Sequence, residues 1–245
     1  MLRSSAWVLS WSLVRILAAA LGVAAIVAQL TRTVARANET TSGHAGDVPT
    51  VVANFLSYFT IESNLIAAIA LAIGGMWALG RGRAAAAEPR WFAVLLACAT
   101  TYMVITGIVY NTLLRGVALD QGVTVAWSNE VLHVVIPIVL LLDLFLAPKR
   151  RALAWSTVWA VAAFPVVWVI YTLVRGPLIT APATGDPWWY PYPFLDPHNF
   201  ENGYVGVTLY IIGIAIGIMI VGLGVVWIGR RRARSREAGP RAAVS

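Results

Sequence analysis

Cysteine, histidine and charge are all scarce in this chain of 245 residues. A single cysteine, Cys98, excludes a disulfide framework and any cysteine-based metal cage. Three histidines at distant positions (His44, His133 and His198) do not make a histidine-rich zinc site, so no metal or cofactor is expected. Charged residues amount to 12%, about half the share found in an ordinary soluble domain. The chain also lacks a phosphate-binding glycine loop, an HExxH zinc helix and a basic patch interleaved with aromatics. Nucleotide, metalloprotease and nucleic-acid readings therefore have nothing to stand on.

What the chain does have is hydrocarbon. Hydrophobic residues make up 59%, and the mean hydropathy of +0.75 is spread over the whole length. This composition predicts an all-α polytopic membrane protein in a single domain. Six apolar stretches are long enough to cross about 30 Å of hydrocarbon: 5–30, 52–79, 91–114, 125–146, 153–174 and 203–228, followed by a basic tail over 229–245. A loop rich in proline, tryptophan and tyrosine (176–202) precedes the last span. The first span reads as a retained helix and not a cleaved signal, because Arg15 interrupts its apolar run and no small-x-small site ends it.

Lysine and arginine set the expected orientation. Arg3, then Arg81, Arg83 and Arg90, then Lys149, Arg150 and Arg151, and finally six arginines in the tail fall on one side. Arg32, Arg36, Arg115 and Arg175 fall on the other. Both termini are therefore expected in the cytoplasm. A composition rich in Ala, Val and Arg with one lysine suggests a bacterial plasma membrane. The net charge of +7 follows from this asymmetry and needs no nucleic-acid partner; the expected partners are membrane lipids.

Polar side chains inside a span cost several kcal/mol unless paired or hydrated, so they carry the information. Here they are Arg15, Glu62, Asn64, Asn129, Glu130, His133 and Asp143. Arg15 and Asp143 sit at compatible depths toward the cytoplasmic side and read as a structural ion pair. Thr60 and His133 each lie eight residues into spans that start from the outer face, roughly 12 Å deep at 1.5 Å per residue. Asn129 and Glu130 precede His133 by four and three residues and share its helix face. Thr60 shares a face with Asn64, while Glu62 points elsewhere.

This arrangement permits nucleophilic acyl transfer. A threonine hydroxyl is inert without a base beside it, and a neutral histidine is suited to take its proton. Asn129 or Glu130 is placed to orient the imidazole, and Asn64, Asn111 and Tyr110 are candidate donors to a developing oxyanion. Spacing by itself favours a structural role, because helical threonines commonly bond the carbonyl four residues back and membrane histidines commonly bond across helices. Two other readings stay open: a lipid-binding protein without catalysis, and a small transporter using the acid, histidine and asparagine cluster as a proton or ion path.

Four segments narrow the choice. They are Tyr58-Phe59-Thr60, then Asn129-x-x-x-His133-x-x-x-Pro137, the Trp189-Tyr190-Pro191-Tyr192-Pro193-Phe194-Leu195-Asp196 run, and Thr106-Gly107-Ile108-Val109-Tyr110. Together they resemble the androgen-induced-gene family of six-span membrane proteins, over nearly the whole chain in span count and order. The resemblance implies a threonine nucleophile at Thr60, introduced by Tyr58, and a catalytic histidine at His133. It also implies hydrolysis of lipid or fatty-acyl esters, of the kind in which a fatty acid is esterified to a hydroxy fatty acid. The bacterial-looking composition suggests a different native lipid ester.

Overall fold

In the computed structural model, residues 5–39, 46–117 and 124–238 are described. Arg3, His44, Arg241 and the end of the basic tail lie outside them. Among the described residues six helices are long and apolar enough to cross a membrane. We label the helices α1 (Ser5–Glu39), α2 (Val48–Leu56), α3 (Phe59–Leu79), α4 (Arg90–Leu114), α5 (Ala126–Leu146), α6 (Thr157–Arg175) and α7 (Tyr204–Ala238). α3 lies against α1 on one side and α4 on the other, and α4 also meets α5, α6 and α7. The core between them is built from Phe55, Leu71, Phe92, Leu96, Met103 and Leu140, among others.

Three spans match the sequence reading to within a few residues, and three differ. The first helix runs to Glu39, nine residues beyond its apolar stretch, and the last continues through the arginine cluster. Backbone hydrogen bonding continues a helix past the point where hydrocarbon ends, so apolar length underestimates helix length. The second expected span, 52–79, is not one helix. It breaks at Ser57 and Tyr58, the latter extended at φ −70° and ψ 128°. No glycine or proline marks the break. Distant aromatics make it instead: the Trp168 indole donates to the Ser57 carbonyl at 3.0 Å, and the Ser57 hydroxyl meets Tyr171 at 2.9 Å. The Tyr58 ring is held edge-on by Trp189 and Tyr192.

Close approach of α3 to α1 and to α4 depends on two glycines. A Cβ at Gly75 would stand 2.8 Å from the backbone oxygen of Ser12, and one at Gly74 would stand 2.7 Å from the Phe92 ring. Membrane helices gain contact by such small residues, because lipid offers no hydrophobic drive between them. The expected pair of Arg15 and Asp143 is present at the far end of the bundle from Thr60, and it is part of a larger network. Asp143 accepts from Arg15 Nε at 2.6 Å, Trp11 Nε1 at 2.6 Å and Arg150 Nη2 at 2.6 Å. Glu88 lies 3.8 Å from Arg150, which balances the four charges, and all four side chains are buried.

Candidate active site

Thr60 is the second residue of α3, a position that the helix break creates. Backbone N–H groups in the first turn of a helix have no partner within it, and here the Thr60 N–H donates to the Tyr192 hydroxyl at 3.1 Å. The side chain is also unlike other threonines of the bundle. Thr100, Thr101, Thr112 and Thr208 each donate to the carbonyl four residues back. The Thr60 hydroxyl instead meets His133 Nε2 at 3.2 Å and Tyr192 Oη at 3.2 Å.

His133 sits in a π-helical turn of α5, Val131–Val135, where the Ile136 N–H reaches back five residues to Val131. Pro137 has no N–H to close on the His133 carbonyl, which loosens the ladder at this point. Such turns are frequent where a helix aims a side chain. His133 Nδ1 lies 2.9 Å from the Asn129 carbonyl. A carbonyl can only accept, so the proton belongs on Nδ1 and the lone pair on Nε2 faces Thr60. This assigns the tautomer from the hydrogen-bond network. A second π turn in α4, Tyr110–Leu114, presents the Tyr110 ring, which stacks on the imidazole at 3.9 Å between centroids. Gly107 allows this contact between helices, since a Cβ there would stand 3.2 Å from Pro137.

The other expected site residues take different places. Asn129 contributes its backbone carbonyl to His133, while its side-chain amide donates to the Tyr110 hydroxyl. Glu130 does not orient the ring; it forms a half-exposed pair with Arg115 at 2.8 Å. Asn64 is not a free oxyanion donor, because its amide donates to the carbonyls of Thr60 at 2.8 Å and Leu132 at 3.1 Å. It ties the backbone of Thr60 to that of Leu132, the residue before His133. Asn111 braces Arg115 and bonds Gly107, away from Thr60. Tyr58 contributes its ring to the aromatic cluster at the break.

Tyr192 is the residue that the sequence places only in the aromatic loop before the last span. Burial pushes its phenol up to about 12, against the pull of its bonds to Thr60, so it holds its proton at neutral pH. Its loop enters the bundle because Trp189, Tyr190, Tyr192 and Phe194 are all buried. The readable signal was that four aromatics in six residues exceed what an interfacial belt needs.

Thr60, Tyr110 and Tyr192 border a cavity of about 280 Å³ enclosed by α4, α6, α7, the start of α3 and the aromatic loop. Its lining is otherwise nearly all hydrocarbon and includes no charged side chain. The pair of Arg115 and Glu130, on the helices that carry Tyr110 and His133, is half-exposed. Among the described residues no cluster of histidine, cysteine and carboxylate side chains is placed to hold a metal ion. The chain matches no protein-family model, no curated protein and no solved structure.

Proposed function

We propose that the chain is an intramembrane lipid-ester hydrolase with Thr60 as nucleophile and His133 as base. The observation that carries this reading is the 3.2 Å approach of the Thr60 hydroxyl to a bare imidazole nitrogen whose partner nitrogen is anchored. Thr60 Oγ1 attacks the ester carbonyl as its proton passes to His133 Nε2. The tetrahedral intermediate collapses, the ester C–O bond breaks, and the imidazolium returns the proton to the departing alcohol. Water then gives a proton to Nε2 and its oxygen attacks the acyl-threonine carbonyl. Release of the carboxylic acid restores the Thr60 hydroxyl. Tyr192 donates to Thr60 Oγ1 and steadies the negative charge as it develops there.

The resemblance of Tyr58-Phe59-Thr60 and of the Asn129 to Pro137 segment to the androgen-induced-gene family supports the same chemistry. Esters of fatty acids with hydroxy fatty acids are therefore the first substrates to test. A lipid-binding protein without catalysis is the second reading, and the apolar lining of the cavity favours it. A fluorophosphonate probe on detergent-solubilised protein separates the two. The probe should label the parent, and Thr60→Ala should lose the label at unchanged expression. Labelling that survives in Thr60→Ala rejects this nucleophile.

The same proposal places both termini in the cytoplasm of a bacterial plasma membrane, supported by the basic loops and tail. In intact cells, a cysteine at Arg83 should resist a membrane-impermeant maleimide while one at Glu201 reacts. The reverse pattern would invert the topology.

A further inference from the structure

The chamber beside Thr60 is deeper than an ester group requires. Its lining on α6 runs from Val169 to Ala162, roughly 10 Å along the helix at 1.5 Å per residue. On α7 it runs from Ile211 to Met219, roughly 12 Å on the same measure. The upper end of α6 is fixed near the nucleophile, because the neighbouring Trp168 indole bonds Ser57. Ala162 and Met219 therefore mark the end remote from Thr60. Between these ends the walls are aliphatic and aromatic, and no ion could be matched there. Val166 and Ala215, on the two flanking helices, are both lining residues and exposed on the outer face of the bundle. The chamber thus has a side opening between α6 and α7, where a membrane helix pair meets lipid.

We propose that this chamber is an acyl-chain site whose depth measures the chain, with Ala162 setting its floor and Ala215 its mouth. The inference rests on the ester-hydrolase reading in that the chain belongs to the acid esterified to the substrate. A single linear chain enters between α6 and α7, lies along Ile214 and Val169, and places its carbonyl at Thr60. Small side chains at the two named positions leave room that a phenyl ring would fill. Each methylene seated in the chamber gains packing contacts with its walls, so occupancy falls as the chain is shortened below the depth of the chamber. A phenyl ring at Ala162 acts on long chains and leaves short ones unaffected, whereas one at Ala215 hinders every chain at the mouth.

The test uses fatty acids of four, eight and ten carbons carrying a photoreactive diazirine at the far end, on the full-length protein in detergent. The expected result is label on peptides holding Ala162–Pro165 or Ala215–Met219, competed by unlabelled fatty acid. Ala162→Phe should lower labelling by the longer probes at least about tenfold and leave the shortest probe unchanged. Ala215→Phe, at an exposed position, narrows the side opening and should lower labelling by all three probes, which keeps the proposal testable if the first variant does not fold. Label scattered over lipid-facing residues such as Trp159 and Ile220, and indifferent to both substitutions, overturns the proposal. Because crosslinking needs no turnover, a protein that binds chains by length but fails the fluorophosphonate test keeps this site and loses the hydrolase reading.

Discussion

Ester turnover by the solubilised protein is expected to fall by about 10²- to 10⁴-fold in His133→Ala, the range that a positioned general base contributes. The geometry indicates why little activity should survive. Only Nε2 reaches the Thr60 hydroxyl, and the remaining partner there, Tyr192, already holds a proton that burial makes hard to remove. No other side chain among those brought to Thr60 can accept the proton at neutral pH. His133→Gln supplies a useful contrast, because it keeps hydrogen-bonding capacity and lacks a basic nitrogen, so it should be as inactive as alanine. Tyr192→Phe should cost about tenfold, one charge-assisted hydrogen bond, and should lower kcat while KM stays near the parent value. Steady-state hydrolysis of a medium-chain ester measures all three. Turnover in His133→Ala within a few-fold of the parent would remove this base from the mechanism.

Asp143→Ala is the substitution with the largest expected effect on the fold, a loss of about 3–5 kcal/mol. It strips one negative charge from a buried group that holds two guanidinium ions, and it leaves Arg15 facing the carbonyl of Gly74 alone. The cost is the unpaired charge and not the lost attraction, which gives a second prediction. Replacing both partners, in Arg15→Met with Asp143→Leu, should recover most of the stability, because Arg150 and Glu88 then remain as a neutral pair. Fluorescence-detected size exclusion after heating reads both variants. Equal damage in the single and double variants would show that the network contributes more than charge balance. The site should be insensitive to the double replacement, since Thr60 lies at the opposite end of α3 from Gly74.

Hydrocarbon lengths made the six spans legible, and the cost of burying Arg15 and Asp143 made their pairing legible. Thr60 and His133 could be named through the resemblance of Tyr58-Phe59-Thr60 and Asn129-x-x-x-His133-x-x-x-Pro137 to a known family, since spacing by itself favours a structural role. Their supports could not be read, for a physical reason. The break before α3 carries no local signal at Ser57 and Tyr58; it is imposed by Trp168, Tyr171, Trp189 and Tyr192 from more than a hundred residues away. The expected depth of Thr60 assumed an unbroken helix from Val52, whereas the residue stands at a helix start. The partner of Nδ1 is the backbone carbonyl of Asn129 and not its side chain, and every residue has such a carbonyl, so side-chain identity could not separate Asn129 from Glu130. Asn64 looked available because its amide is polar, yet both of its donated bonds go to main-chain oxygens. Pro137 was the one visible trace of the π turn.

The wide turn over Val131–Val135 amounts to one surplus residue inside a helix. Excising a single position from it would return α5 to regular winding, while the segments above and below keep their phase, because the wide turn already absorbs the extra residue. The span would still cross the bilayer with its apolar character nearly untouched, but the local widening that brings the imidazole to Thr60 while the Asn129 carbonyl holds its other nitrogen would be gone. A one-codon deletion is therefore expected to undo the contact between Thr60 and His133 without any change in transmembrane character.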